Sequence, residues 1–222
     1  MLSAEGTPFD LQFPLGRIPV RVLPTFWIAG IYLGWNPDRP DMVAIWVACL
    51  FFSILIHELG HALVAEAFGY PTEITLYHFG GFARFNPGYH FPPSRSLLIS
   101  LAGPFAQFFL AGITIAVLVG GDLMKIPRHE YADAAYFDLL WINIAYPVLN
   151  LFPLLPLDGG QILQAILGMA GLRTAALWTL RISIATGILG ALLMVNLGAT
   201  GVAVMFGLLV MQNVQDLQAR AW

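Results

Sequence analysis

The stretch MVAIWVACLFFSILI, residues 42–56, carries no charge and runs directly into His57-Glu58-Leu59-Gly60-His61. Crossing a hydrocarbon core of ~30 Å takes about 20 apolar residues at ~1.5 Å each, so the first part reads as most of a membrane helix. The five residues that follow belong to another kind of chemistry. Residues four apart share one face of a helix, so His57 and His61 can aim both imidazoles at one metal ion while Glu58 stands beside a water at that ion. A buried, unpaired carboxylate costs several kcal/mol, and the helix offers no neighbouring lysine or arginine to neutralise Glu58. A divalent cation removes that difficulty, and polar residues inside a membrane helix mark function by default. The alternative is a helix whose histidines merely bond to nearby carbonyls.

The remainder of the chain has the same character. Of 222 residues, 58% are hydrophobic and 10% charged, with a mean hydropathy of +0.75, far from soluble averages. The expected fold is an all-α polytopic membrane protein, a single membrane-embedded domain over residues 1–222. Six spans fit, at about 22–35, 42–68, 97–120, 138–152, 174–195 and 202–217. The last two share a charge-free stretch from Ile182 to Gln215 that is too long for one span, and Asn196, Gly198 and Gly201 supply a tight reversal. Between the second and third spans, residues 73–86 read as a small β-hairpin around Gly80-Gly81. Its free edge could receive an extended peptide through main-chain hydrogen bonds, or the hairpin could simply support the bundle. Tyr77, Phe79, Phe82 and Phe85 suit an interfacial position. The lone histidines His78 and His90 read as surface or packing residues, and Gly103 and Gly112 as helix-packing positions.

Loop charges set the orientation. A cytoplasmic N-terminus puts Arg17, Arg21, Arg84, Arg95, Arg173 and Arg220 inside, against Arg39, Lys125 and Arg128 outside. The sequence begins without a basic start followed by an apolar core, so no cleavable signal peptide is expected. The single Cys49 excludes an intrachain disulfide and reads as a small packing residue. No basic run points to nucleic acid.

Two histidines do not complete a catalytic zinc site, which usually has three protein ligands and a fourth position for water. The candidate for the third is Asp158, in NLFPLLPLDGG at residues 150–160. Prolines 147, 153 and 156 are incompatible with a continuous helix, so the fourth helix should be broken and unwind near Pro153. Non-helical backbone at membrane depth is tolerated where it is buried in protein or lines a watery cavity. Gly159 and Gly160 would let the backbone turn closely around a metal. The competing role for Asp158 is to cap the helix that follows. Glu66 stands five positions after His61, a rotation of about 140°, and reads as a solvated residue facing away.

The ordered pair His57-Glu58-Leu59-Gly60-His61 and Asn-x-x-Pro-x-x-Pro-Leu-Asp-Gly-Gly resembles the site-2 protease family of intramembrane zinc metalloproteases. The resemblance extends to Val20-Arg21-Val22-Leu23-Pro24-Thr25-Phe26-Trp27, to Phe79-Gly80-Gly81-Phe82 and to Leu101-Ala102-Gly103-Pro104. It implies one zinc ion per chain held by His57, His61 and Asp158, with Glu58 as the catalytic carboxylate and Asn150 positioning substrate or polarising its carbonyl. It further implies hydrolysis of peptide bonds in or beside transmembrane segments of membrane proteins within a lipid bilayer; the small size of the chain favours a bacterial inner membrane over an organelle membrane. Neither a PDZ nor a CBS regulatory module fits the loops or the end of the chain, so a minimal core enzyme with an unidentified regulator is expected. Two other classes stay open: a catalytically idle scaffold or chaperone that binds membrane helices, and a metal transporter. The complete set of catalytic residue types argues against the first. The confinement of polar residues to two motifs argues against the second.

Overall fold

The computed structural model describes residues 7–78, 80–87, 91–125, 127 and 129–220. Phe79, His90 and Arg128, which the sequence reading assigned to an interfacial aromatic cluster, a non-ligand histidine and the outer loops, lie outside the described residues. The described chain is mostly helical and divides into two compact units. The first comprises Met1–Gly88 and Ala102–Pro147, the second Tyr89–Leu101 and Val148–Trp222.

In the first unit, β1 (Leu11–Leu15) and β2 (Ile18–Val22) pair antiparallel around Gly16, whose φ of +63° suits a residue without a side chain. Then come α1 (Pro24–Leu33), α2 (Pro40–Ala67), β3 (Thr72–Tyr77) and β4 (Gly80–Phe85). β3 and β4 form the expected hairpin, but β2 pairs parallel with β3, giving a four-stranded sheet in the order β1-β2-β3-β4. The small hairpin of the sequence reading is therefore half of a larger sheet. The signal for the other half is the alternation of buried Ile18, Val20 and Val22 with Pro19 and Arg21, a period of two. These side chains join Ile74 and Leu76 of β3, Phe26 of α1, and Leu50, Ile54, Leu55 and Ala62 of α2 in one apolar core.

The span expected at 22–35 is helical only over the ten residues of α1, a rise of ~15 Å that cannot cross a ~30 Å core. By contrast, α2 runs unbroken for 28 residues. Pro40 at its first turn and Asp41 beside it suit a helix start, and Gly69 beyond its end adopts φ +82°. α3 (Pro93–Leu123) and α4 (Glu130–Asn150) each contribute to both units. α4 begins earlier than the expected 138. At that end Arg39 Nη1 donates to Glu130 Oε1 at 2.7 Å, and the guanidinium holds the Glu130 carboxyl below its ordinary range.

In the second unit, residues 151–157 leave the helix as Pro153 and Pro156 require, whereas Pro147, also expected to break it, stays inside α4. α5 (Asp158–Met169) follows, a helix absent from the six expected spans. α6 (Ala175–Asn196) and α7 (Thr200–Arg220) are joined by a short reversal in which Gly198 has φ +75°, as the glycines predicted. Gly187 and Gly190 let the two helices close tightly. A Cβ at those positions would stand 2.5 Å from Val210 and 2.6 Å from Phe206 respectively.

Among the described residues three helices, α2, α3 and α6, are long and apolar enough to cross a membrane. α4 and α7 have 21 residues each but carry more polar side chains, among them Asp133 and Asp138 in α4 and Gln212, Asn213 and Asp216 in α7.

Candidate functional site

Within the first unit, α2 brings the two histidines together as helical spacing requires. Nε2 of His57 and Nε2 of His61 are 3.1 Å apart, and the rings meet edge to face with centroids 4.7 Å apart. Both are buried, as is Glu58. The site has walls from three other elements. On the α3 side, Gly103 faces the imidazoles. A Cβ there would come within 2.9 Å of His57 Nε2 and nearer still to His61 Nε2. On the sheet side, a Cβ at Gly81 of β4 would fall 2.5 Å from Glu58 Cγ and 2.7 Å from its Oε1. From α4, the Tyr146 ring stands edge to face with His57 at 5.2 Å, and its hydroxyl reaches the backbone at Gly80. Burial first, and the Glu58 carboxylate second, push the Tyr77 phenol above the ordinary tyrosine range.

A buried hydrogen-bond chain lies behind the imidazoles. Nδ1 of His57 is 2.9 Å from Oε1 of Gln107 in α3, and Nε2 of Gln107 donates to the Ser53 carbonyl at 3.2 Å. Asn143 of α4 donates to the Ser53 hydroxyl at 2.8 Å and to the Leu139 carbonyl at 2.8 Å. Gln107, Ser53 and Asn143 are all fully buried.

These observations test whether a metal ion suits the histidine pair. A tetrahedral ion with bonds of ~2.0–2.1 Å to nitrogen separates two ligand atoms by about 3.3 Å, close to the spacing found. A metal-ligating imidazole usually gives its other ring nitrogen to a carbonyl or carboxyl oxygen, as His57 does to Gln107. Gly103 keeps clear the space that any Cβ would occupy. The donor set fits a divalent cation of zinc type.

The other expected site residues belong to the second unit. Asn150 is the last residue of α4 and is half-buried. Asp158 is buried and is the first residue of α5, with Leu157 in the cap position. The preceding turn is braced from α6 and α7. Thr186 Oγ1 donates to the Pro153 carbonyl at 2.9 Å, the Leu155 N–H donates to Ser183 Oγ at 3.0 Å, and Asn213 Nδ2 donates to the Leu155 carbonyl at 2.6 Å. Gly159 and Gly160 sit tightly against the unwound segment. A Cβ at Gly159 would strike the Leu151 and Phe152 carbonyls, and one at Gly160 would stand 2.6 Å from the Leu155 nitrogen. Their smallness lets the first turn of α5 pack on the unwound segment.

Glu66, read as solvated, accepts the Thr72 N–H at 3.0 Å and is half-buried. It fastens the start of β3 to the end of α2. His78 is exposed, with its ring against Tyr77. Cys49 is buried, in keeping with a packing role. Sequence reasoning missed Gln107, Tyr146 and the three bracing residues, and took Gly103 for a helix-packing glycine alone. A glutamine or asparagine within an apolar run was the available signal.

The model of peptidase family M50 matches residues 45–129 and 124–195. A Synechocystis protein provisionally named a zinc metalloprotease is 36% identical over 154 residues, covering 68% of this chain and 35% of the relative. A protein of Methanocaldococcus jannaschii named a zinc metalloprotease is 34% identical over 125 residues, covering 56% of this chain and 34% of the relative. The chain thus spans about a third of the length of these two curated relatives. Among solved structures, the site-2 protease from Methanocaldococcus jannaschii aligns over 94% of this chain and 95% of its own, with a TM-score of 0.61 and 24% identity, a likeness of fold.

Proposed function

This chain belongs to peptidase family M50, the site-2 protease family, and from that premise we propose that it is an intramembrane zinc endopeptidase cutting membrane-protein substrates within or beside their transmembrane segments. The observation that carries the proposal is the buried pair of imidazoles with Nε2 atoms 3.1 Å apart, beside a buried Glu58, in an apolar 28-residue helix. His57, His61 and Asp158 would hold one zinc ion per chain. Zinc, when bound, lowers the pKa of a coordinated water and polarises a carbonyl.

The chain's own residues supply the rest. Glu58 accepts a proton from the attacking water and returns it to the departing amine. Its approach to the Gly81 backbone brings that carboxylate to the hairpin where an extended peptide would lie. β4 is an outer strand of the sheet, so its outer edge can pair with substrate main chain. Asn150 would orient the substrate or its carbonyl. Burial in apolar surroundings keeps bulk water from the carboxylate and strengthens each polar contact. The same proposal includes the whole chain as one catalytic domain in an inner membrane with its N-terminus cytoplasmic. α4 and α7 would join the three apolar helices as spans, with α1 dipping into one face. The substrates and any regulator are proteins of the same bilayer.

The test is metal analysis of the detergent-purified protein together with cleavage of single-span membrane peptides by wild type and Glu58→Gln. One zinc per chain in both, with cleavage lowered ~10²–10⁴-fold in the variant, is the expected result. Metal-free wild type, or a Glu58→Gln variant as active as wild type, would overturn the reading.

A further inference from the structure

We propose that Gln107 is a positioning residue that sets the tautomer of His57 and thereby presents its Nε2 lone pair toward a metal. The inference rests on the zinc reading above but starts from a different atom, the Ser53 carbonyl. A carbonyl oxygen can only accept, so the amide group 3.2 Å from it must be the –NH₂ end of Gln107. That orientation turns Oε1 of Gln107 toward Nδ1 of His57, 2.9 Å away. An amide oxygen also only accepts, so Nδ1 must carry the proton. In a neutral imidazole with a proton on Nδ1, the lone pair is on Nε2. Nε2 is the atom turned toward His61 Nε2 and toward the space that Gly103 keeps clear.

The two neighbours of the Gln107 amide fix which way it faces. Reversing Gln107 would set its oxygen against the Ser53 carbonyl and its –NH₂ against His57, leaving two acceptors facing each other in a site of near-zero exposure. Such an arrangement gives up the bond to the Ser53 carbonyl and presses two oxygens together where no water can separate them. Because the Ser53 carbonyl lies one helical turn before His57, the helix that carries the histidine also orients the residue that fixes its proton. Asn143 holds the Ser53 side chain from the other side, so α2, α3 and α4 all take part.

The experiment uses the full chain, zinc-free and then titrated with zinc in competition with a chelator. Three proteins are compared: wild type, Gln107→Leu, which removes the acceptor, and Gln107→Glu, which keeps an oxygen toward Nδ1. ¹⁵N spectra of histidine-labelled, zinc-free protein report the tautomer, with the His57 signals identified by their loss in His57→Gln. The expected result is a proton on Nδ1 in wild type, a changed ring pattern and a ~10–100-fold weaker zinc affinity in Gln107→Leu, and return of both properties in Gln107→Glu. A proton on Nε2 in zinc-free wild type would overturn the proposal. So would wild-type zinc affinity in a folded Gln107→Leu. Should Gln107→Leu fail to fold, the wild-type spectrum and the affinity of Gln107→Glu decide in the same sense. Wild type that takes up no zinc would refute the metalloprotease reading, and the His57 ring pattern would then decide the role of Gln107 alone.

Discussion

His57 and His61 in the first unit ride on an uninterrupted helix of 28 residues, whose own periodicity brings their Nε2 atoms to 3.1 Å. Asp158 in the second unit follows the non-helical segment 151–157, whose backbone is held by side chains of Ser183, Thr186 and Asn213. One arrangement is local, written within five consecutive residues. The other is assembled from α6 and α7, which the chain reaches only later. A helix supplies its own hydrogen bonds, whereas an unwound segment rich in proline must borrow partners for its carbonyls and N–H groups. The difference teaches where each half is vulnerable: the local half to changes within it and directly against it, the borrowed half to changes far away in sequence.

The largest effect tests whether the two halves serve one ion. Asp158→Ala should abolish stoichiometric zinc binding and cleavage while α2 keeps its helicity. Retention of one zinc per chain with full activity would remove Asp158 from the site and leave the histidines to act with another ligand. Next in size is the space beside the imidazoles. Gly103→Ala puts a Cβ against both Nε2 atoms, at a packing cost of ~1–3 kcal/mol and at least a ~10-fold loss of zinc affinity. An undiminished affinity would mean that the α3 wall gives way and the histidine half is less rigid than its helix suggests.

The smallest effect probes the borrowed half. Asn213→Ala removes the donor to the Leu155 carbonyl and should lower stability by ~1–3 kcal/mol. It should also weaken zinc binding by a smaller factor than Gly103→Ala, although residue 213 lies far along the chain from Asp158. Chemical unfolding and chelator competition measure the two quantities. A loss of stability with zinc affinity unchanged would show that the brace supports the fold without steadying the aspartate.

What could be read from sequence divides along the same line. α2, its paired histidines, the unwinding after Asn150 and the reversal at Gly198 all announce themselves through spacing, proline or glycine in a single short window. β1 and β2 were missed because five-residue strands beside a hydrophobic run look like the approach to a span, although the alternation of Ile18, Val20 and Val22 was there to be counted. α5, the helix after Asp158 that the capping alternative anticipated, has twelve residues, too few to be counted as a span. Gln107 and Asn213 share the composition of their surroundings with any polar residue in an apolar helix, and only a packing partner tells which neighbour each one serves. Gly103 illustrates the limit most plainly. A small residue permits close approach, but sequence does not say whether a second helix or an imidazole does the approaching.

The parallel pairing of β2 with β3, in which Val20 faces Ile74, carries a consequence for the order of events during synthesis. The first two strands emerge early but have no place in the finished sheet until α1 and α2 have been made and β3 has followed them. Closing so long a loop is slow compared with forming a helix or a hairpin. The strands β1 and β2 can therefore complete the sheet only after the helix bearing the histidines has been made.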